Sequence, residues 1–154
     1  MSKSNSQREI ILNGRKVVSI EKQAISNLEN RFKNEVFIKN FTDAVETIYK
    51  CKGKTVVTAI GKSGIIAQKI VATFNSTGTY SIFMHSSDSL HGDLGVLRKE
   101  DVILLISKSG DTSEIKQLIP NFKNLGIKII SIVGKTDSEL AHLSDIVLDA
   151  SVKE

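Results

Sequence analysis

The sequence of 154 residues contains one cysteine, one proline and no apolar run long enough to cross a membrane. The single cysteine, Cys51, has no partner for an internal disulfide, and zinc-finger and disulfide-scaffold folds are excluded with it. A reducing, cytoplasmic setting is therefore expected. The longest apolar run, at 102–106, has five residues, whereas a membrane-spanning helix needs about 20. The first nine residues contain no apolar core of the signal-peptide kind.

An excess of one charge is also small. The sequence has 21 Lys and Arg residues against 17 Asp and Glu, a net charge of +4, and the basic residues are scattered. No run interleaves basic with aromatic side chains, so the pattern does not favour nucleic-acid binding. The mild positive balance fits a small anionic substrate, and it equally fits a solvated surface with a slight surplus.

Two helical stretches open the chain. Apolar residues recur at spacings close to seven and four across about 7–32, and they lie on one face across 37–49, with Gly53 suited to cap the second stretch. Beyond residue 53, five short β-branched and apolar runs alternate with three helical stretches. The predicted strands are 55–60, 80–84, 102–107, 127–133 and 146–148, and the predicted helices are about 63–77, 113–125 and 138–143.

This alternation predicts the fold class. Strands that alternate with helices are joined by right-handed crossovers into a parallel sheet, and near-continuous apolar strands indicate that both sheet faces are covered. We predict an α/β fold, a three-layer αβα sandwich with a five-stranded parallel sheet and the N-terminal helices packed outside. One domain is expected across 1–154, with N-terminal helices in 1–53 and the α/β core in 54–154. Pro120 is expected to kink or divide its helix.

The loop after the first strand has the composition of an anion site. In open α/β sheets, ligands bind at the carboxyl ends of the strands. Gly-Lys-Ser-Gly at 61–64 opens a helix whose free N–H groups favour an anion, while Lys62 adds a charge and Ser63 a hydroxyl. A Walker A loop and a dinucleotide fingerprint both fail, because Val56 and Ala59 stand where they require glycine. A plain tight turn between strand and helix is the alternative.

The loop at 107–114, after the third strand, is rich in hydroxyl groups. Hydroxyls and backbone amides can surround a phosphate without arginine. In the alternative interpretation, Asp111 or Thr112 is an ordinary N-cap, Asp111 occupies the anion position itself, and Glu114 is an ordinary acid of the first helical turn. The hydroxyl residues are Ser107, Ser109, Thr112 and Ser113.

A third segment, 85–95, follows the second strand. His91, beside two glycines and Asp93, could serve proton transfer or orient a sugar hydroxyl; as a lone loop histidine it could equally be structural or solvent-exposed. A metal site formed by His85, His91 and Asp93 is a further alternative, but its spacing matches no standard motif. No metal is therefore expected.

Four motifs together resemble those of the sugar isomerase (SIS) domain family: Gly-Lys-Ser-Gly at 61–64, Thr-Phe-Asn-Ser-Thr-Gly at 73–78, His-Gly-Asp-Leu-Gly at 91–95 and Ser-Lys-Ser-Gly-Asp-Thr-Ser-Glu at 107–114. More narrowly, the sequence is similar to bacterial D-arabinose 5-phosphate isomerases, and the motif at 91–95 points to this subgroup. The resemblance implies a Rossmann-like SIS fold, no cofactor, and interconversion of D-ribulose 5-phosphate and D-arabinose 5-phosphate. That aldose is the precursor of 3-deoxy-D-manno-octulosonate (Kdo), a sugar of lipopolysaccharide and some capsules.

An aldose–ketose isomerase moves a proton between two carbons through a cis-enediol. It needs a phosphate grip, stabilisation of the developing oxyanion and a general base. The phosphate grip is assigned to Ser63, Ser107, Ser109 and Thr112, and oxyanion stabilisation to Lys62. The resemblance implies Glu154 as the base, Glu114 as a second acid for proton transfer or ring opening, and His91 as a group that assists ring opening or binds hydroxyls.

Family members continue beyond the position of Glu154, with a threonine- and serine-rich loop, a long helix, a histidine-containing segment and, in many, two CBS domains. We therefore expect a truncated SIS domain without CBS domains. Two alternatives stay open: a SIS module that binds a phosphosugar or activated sugar without turnover, and an isomerase of another phosphosugar. The wide apolar stripe at 7–32 needs a partner surface, so a homo-oligomer, expected to be a tetramer, is predicted, with no nucleic-acid or membrane partner.

Overall fold

A computed structural model of the chain describes residues 3–86 and 93–152. In this part of the chain, five strands form one parallel sheet in the order β2-β1-β3-β4-β5, which confirms the predicted fold class. The elements are α1 (Lys3–Arg31), α2 (Glu35–Tyr49), β1 (Thr55–Ala59), α3 (Gly61–Ser76), β2 (Ser81–His85), a 3-10 turn (Asp93–Val96), β3 (Val102–Ser107), α4 (Ser113–Asn124), β4 (Lys128–Val133), α5 (Glu139–Leu143) and β5 (Ile146–Asp149). None of these helices is long and apolar enough to cross a membrane.

The sheet is buried on both faces because successive side chains of a strand point to opposite sides. Val56 of β1 packs in a cluster with Phe122 of α4, whereas its neighbour Val57 packs in a second cluster with Ala44 of α2 and Ala67 of α3. The same alternation holds along β3 and β4. Helices α2 and α3 therefore cover one face, α4 and α5 cover the other, and the result is a three-layer sandwich.

Two local expectations are wrong, namely a division of the helix at Pro120 and a cap of α2 by Gly53. Helix α4 runs undivided through Pro120, although proline in a helix interior costs roughly 3 kcal/mol. Four side chains of α4 are almost fully buried against the sheet, and each contributes roughly 1.5–3 kcal/mol, which outweighs that cost; they are Ile115, Leu118, Ile119 and Phe122. Gly53 does not cap α2, which ends at Tyr49 with Lys50 as its C-cap. Gly53 instead lies against Asp101, and a side chain at position 53 would overlap that carboxylate.

Among the side chains that the structure describes, none of helix α1 belongs to either core cluster, and Ile10, Val18 and Ile25 are each more than half exposed. Its last residue, Arg31, joins it to the sheet by donating hydrogen bonds to the backbone carbonyls of Asp149 and Ser151. In the same way, Asn40 Nδ2 of α2 donates to the carbonyl of Val147 at 3.0 Å. These alternate carbonyls lie along the outer edge of β5, and the two side chains close that edge of the sheet.

Candidate active site

A cleft of about 630 Å³ opens at the carboxyl ends of the strands. In the sheet, β1 has β2 on one side and β3 on the other, so the strand order reverses at β1. Open α/β sheets bind ligands at such a reversal, and the cleft lies there. It is lined by the last two residues of β3 and by residues that follow β1, β3, β4 and β5: Ile60, Ser63, Ile106, Ser107, Lys108, Ser109, Thr112, Gly134, Lys135, Ala150 and Val152. The four residues assigned to the phosphate grip are all among them.

The loop after β3 is held in a curl by its own hydroxyl groups. Ser107 Oγ lies 3.0 Å from Thr112 Oγ1 and accepts a hydrogen bond from the Gly110 N–H, also at 3.0 Å. The Ser109 hydroxyl accepts from the Asp111 N–H at 3.3 Å. Ser107 is buried beneath the curl, while Ser109 lies exposed at the surface of the cleft. The loop therefore has an inner hydroxyl that fixes its shape and an outer hydroxyl available to a ligand.

The start of α4 is not closed by a side-chain cap. Thr112 occupies the N-cap position, but its hydroxyl is turned to Ser107 and makes no capping hydrogen bond. Asp111 does not cap α4 either, since its Oδ1 accepts a hydrogen bond from the backbone N–H of Glu139, the first residue of α5, at 3.5 Å. The interpretation in which Asp111 occupies the anion position is therefore wrong. The positive end of the helix faces the cleft beside Thr112.

Close backbone packing shapes the floor of the cleft. Gly110 has φ of +69°, and a side chain there would overlap Ser138. A Cβ at Gly134 would lie 2.5 Å from the Lys108 carbonyl oxygen, so the turn after β4 rests directly on the loop after β3. The Gly134 N–H also donates to the Ser107 carbonyl at 3.3 Å. These two positions need glycine because neither has room for a side chain.

The loop after β1 delivers Ser63 but not Lys62 to the cleft. Gly61 has φ of +59°, a left-handed conformation that lets the chain turn sharply from β1 into α3. Ser63, two residues further on, is half-buried and lines the cleft. Lys62 is exposed on the first turn of α3 and is not among the lining residues. A tight turn and a candidate anion site thus occur together here, rather than as alternatives.

The remaining candidate residues are not among the described residues that line the cleft. Glu114 lies in the first turn of α4 outside the cleft lining, and hydrogen bonds from its own backbone N–H and from the Ser113 hydroxyl hold the pKa of its carboxyl below the ordinary value. His91 and Glu154 fall outside the described residues, so the alternative metal site, which requires His91, is not tested. Within 3–86 and 93–152, no group of three His, Cys, Asp or Glu side chains is arranged to hold a metal ion.

Sequence reasoning missed the turn after β4. Gly134 and Lys135 line the cleft, yet the sequence-based prediction placed ligand-binding segments only after β1, β2 and β3. A signal was present: Gly-Lys-Thr at 134–136 repeats, directly after a strand, the Gly-Lys-Ser of 61–63. Lys108, inside a loop chosen for its hydroxyls, was not assigned a role either.

Comparison with known proteins shows the family of the chain. A family model described as the SIS domain matches residues 47–154. Arabinose 5-phosphate isomerase KdsD of Shigella flexneri is 43% identical over 139 residues, which are 90% of this chain and 41% of that protein. The probable arabinose 5-phosphate isomerase of Haemophilus influenzae is also 43% identical, over 88% of this chain and 39% of that protein. The chain thus spans about two-fifths of the length of these relatives.

A similar architecture occurs in a solved structure, that of Escherichia coli CFT073 c3406 in complex with arabinose 5-phosphate. It superposes with a TM-score of 0.80 and 35% identity, over 99% of this chain and 77% of that chain. The likeness extends over nearly the whole chain, so it includes the N-terminal helices as well as the sheet.

Proposed function

Because the chain belongs to the SIS domain family, we propose that it is part of a D-arabinose 5-phosphate isomerase, which interconverts this aldose with D-ribulose 5-phosphate. The observation that carries the proposal is the convergence of four hydroxyl side chains on one cleft beside the uncapped start of α4. Relatives at 43% identity that are named for this activity support it. In the proposal, residues 1–154 form a single SIS domain with helices in 1–53 and the α/β core in 54–154.

The hydroxyls would hold the phosphate of the sugar. Ser63, Ser109 and Thr112 can each donate one charge-assisted hydrogen bond to a phosphate oxygen, while Ser107 keeps the loop curled through its bonds to Thr112 and Gly110. The helix terminus adds roughly half a positive charge. Binding energy gained at the phosphate would fix the position of the reacting carbons, which lie at the other end of the substrate.

Proton transfer between carbons 1 and 2 would then pass through a cis-enediol without a cofactor. Lys62 is proposed to stabilise the developing oxyanion, Glu154 to act as the base, and His91 to assist ring opening. Glu114 is the second family-matched acid; because its pKa lies below the ordinary value, its carboxylate is ionised near neutral pH and would act as a base or hydrogen-bond acceptor rather than as a proton donor. The family resemblance supports the roles of Glu154, Glu114 and His91, and the charge of Lys62 in the first turn of α3 supports its own role.

The test is isomerisation of ribulose 5-phosphate by the purified protein, followed as formation of arabinose 5-phosphate. Ribulose 5-phosphate should bind far better than unphosphorylated ribulose, and Ser109→Ala should narrow that gap by about 1–3 kcal/mol, the effect of one hydrogen bond to a charged group. Ser19→Ala, an exposed serine on α1, is the matched control and should change nothing. Equal affinity for the two sugars would overturn the site, and full activity of Lys62→Ala would overturn the role of Lys62.

One observation favours a second candidate, a SIS module that binds a phosphosugar without turnover. The cleft brings together the proposed phosphate ligands, but neither Lys62 nor Glu114 lines it. Saturable binding of phosphosugar with no isomerisation of ribulose 5-phosphate or of other phosphosugars would select this candidate. Turnover of a different phosphosugar would select the third alternative, a neighbouring isomerase.

The wider setting follows from the proposed reaction. Arabinose 5-phosphate would feed Kdo formation for lipopolysaccharide or capsule in the cytoplasm. We also propose a homotetramer, because α1 exposes apolar side chains along its length and a helix with such a surface needs a partner. Light scattering at micromolar concentration should give the mass of a tetramer, and a monomeric mass would contradict this.

A further inference from the structure

Three strands that are neighbours in the sheet end in the same kind of triplet. β1, β3 and β4 lie side by side, and at the end of each comes a small residue, then a lysine and a hydroxyl residue. The triplets are Gly61-Lys62-Ser63, Ser107-Lys108-Ser109 and Gly134-Lys135-Thr136. The first two supply proposed phosphate ligands. The third lies outside every role assigned above.

The structure places Lys135 of this third triplet at the cleft. The turn that carries it is fastened on both sides: the Gly134 N–H donates to the Ser107 carbonyl at 3.3 Å, and the Lys135 carbonyl accepts from the Ser138 hydroxyl at 2.7 Å. Lys135 lines the cleft together with Ser107 and Thr112. These hydrogen bonds fix the backbone position of Lys135 at the cleft.

The ammonium of Lys135 is not used within the protein. Lys135 is exposed, and its side chain makes no ion pair or hydrogen bond with any residue in the described part of the chain. Other lysines near this face are already paired, such as Lys116 of α4 with Glu139 of α5 at 2.5 Å. A lysine held at the wall of an open cleft without an acid is available to an anion.

We infer that Lys135 is a further substrate-binding residue, whose ammonium pairs with the phosphate group held by the loop after β3. The inference rests on the proposed phosphate site and deepens it. Hydroxyls and a helix terminus offer only partial charges, whereas a sugar phosphate brings close to two negative charges at neutral pH. Lysine supplies a full, compact positive charge, and β4, which precedes Lys135, lies on the opposite side of β3 from β1, which precedes Ser63.

Calorimetric titration of the purified chain with arabinose 5-phosphate and with unphosphorylated arabinose tests this inference. Lys135→Ala should weaken binding of the phosphosugar roughly tenfold or more, as expected for one hydrogen bond to a charged group, and should leave arabinose unaffected. Lys135→Arg, which keeps the charge, should restore most of the affinity. Lys123→Ala removes an exposed lysine at the far end of α4 and is the matched control.

The salt dependence of phosphosugar affinity distinguishes a charge-based role of Lys135 from a purely structural one. Added NaCl should weaken phosphosugar binding to the wild-type protein more steeply than binding to Lys135→Gln, which keeps most of the side-chain stem but lacks the charge. Wild-type affinity in Lys135→Ala and Lys135→Gln would overturn the inference, as would a wild-type protein that binds no phosphosugar. Isomerase activity is measured separately, so binding that depends on Lys135 without turnover would contradict only the proposed reaction.

Discussion

At the amino ends of the strands, the Lys54 ammonium lies 2.7 Å from Asp101 Oδ2, whereas Lys135, at the carboxyl ends, makes no ion pair with any described residue. Asp101 also accepts hydrogen bonds from the backbone N–H groups of Lys54 and Arg98, at 3.0 and 2.8 Å, and its side chain is only 1% exposed. Charged groups at one end of the sheet thus satisfy each other and hold the fold. At the other end, charged and hydroxyl groups face an open cleft, which is the arrangement that a ligand requires.

Removing Asp101 should cause the largest loss of stability, because it breaks the ion pair with Lys54 at the amino ends of the strands. Asp101→Ala leaves Lys54 without its partner in a site where that lysine is only 12% exposed, and loss of one partner of a buried ion pair costs about 3–5 kcal/mol. Urea unfolding monitored by circular dichroism measures the loss. Asp43→Ala removes a carboxylate from an exposed pair with Lys39 and should cost at most about 1 kcal/mol. Equal losses in the two variants would contradict the contrast.

A substitution at the carboxyl ends of the strands should cause a smaller loss of stability. Gly134→Ala would bring a Cβ to 2.5 Å from the Lys108 carbonyl oxygen, so the turn after β4 must move away from the phosphate loop. We expect a stability loss of about 1–3 kcal/mol together with roughly tenfold weaker binding of arabinose 5-phosphate, about 1.4 kcal/mol. Gly14→Ala is the control, since nothing lies near a Cβ in that part of α1, and it should add up to about 1 kcal/mol of stability. Unchanged phosphosugar affinity in Gly134→Ala would show that the turn does not shape the site.

The smallest of the three predicted effects concerns pH: acid should lower the stability of the protein in part through Asp101, at the amino ends of the strands. Burial raises the pKa of Asp101, but hydrogen bonds from the Lys54 ammonium and from backbone N–H groups outweigh it, and the pKa lies below the ordinary 3.8. A carboxyl whose pKa is lower in the folded state adds stability above its unfolded pKa and loses it as the pH falls through the folded value. Unfolding free energies of ligand-free protein from pH 6 to about pH 2.5 should therefore fall less steeply for Asp101→Asn than for the wild type. Parallel profiles would contradict this.

Most of the fold could be read from the sequence because its strands are continuous apolar runs bounded by glycine or charge. β3 occupies the predicted 102–107 without change, and α4 begins at the predicted Ser113. The predicted division of the helix at Pro120 was wrong, because helix propensity alone does not include the free energy gained by burying the four apolar side chains of α4. The order β2-β1-β3-β4-β5 was not predicted either, since which strands become neighbours depends on packing rather than on any one segment.

Within the candidate site, composition pointed to the hydroxyl-rich loop that lines the cleft, but not to the hydrogen bonds within that loop. The hydroxyl of Ser107 lies 3.0 Å from that of Thr112, and α4 has no side-chain cap; both features depend on three-dimensional distance, and phosphate binding by Ser107 stays a prediction. Lys135 was missed although its triplet was visible, because only the sheet order shows that its strand end adjoins that of β3. The roles of His91 and Glu154 stay predictions.

The contacts of Arg31 with the end of β5 join residues 118 and 120 positions apart in the chain. Ordering so long a loop costs entropy before any contact is gained, and contacts of this separation slow folding. The strands at the centre of the sheet can pair over much shorter separations, so the N-terminal helix should dock after the sheet has formed. Local opening of the native protein should begin in reverse, with hydrogen exchange fastest in α1 and β5 and slowest in β1 and β3.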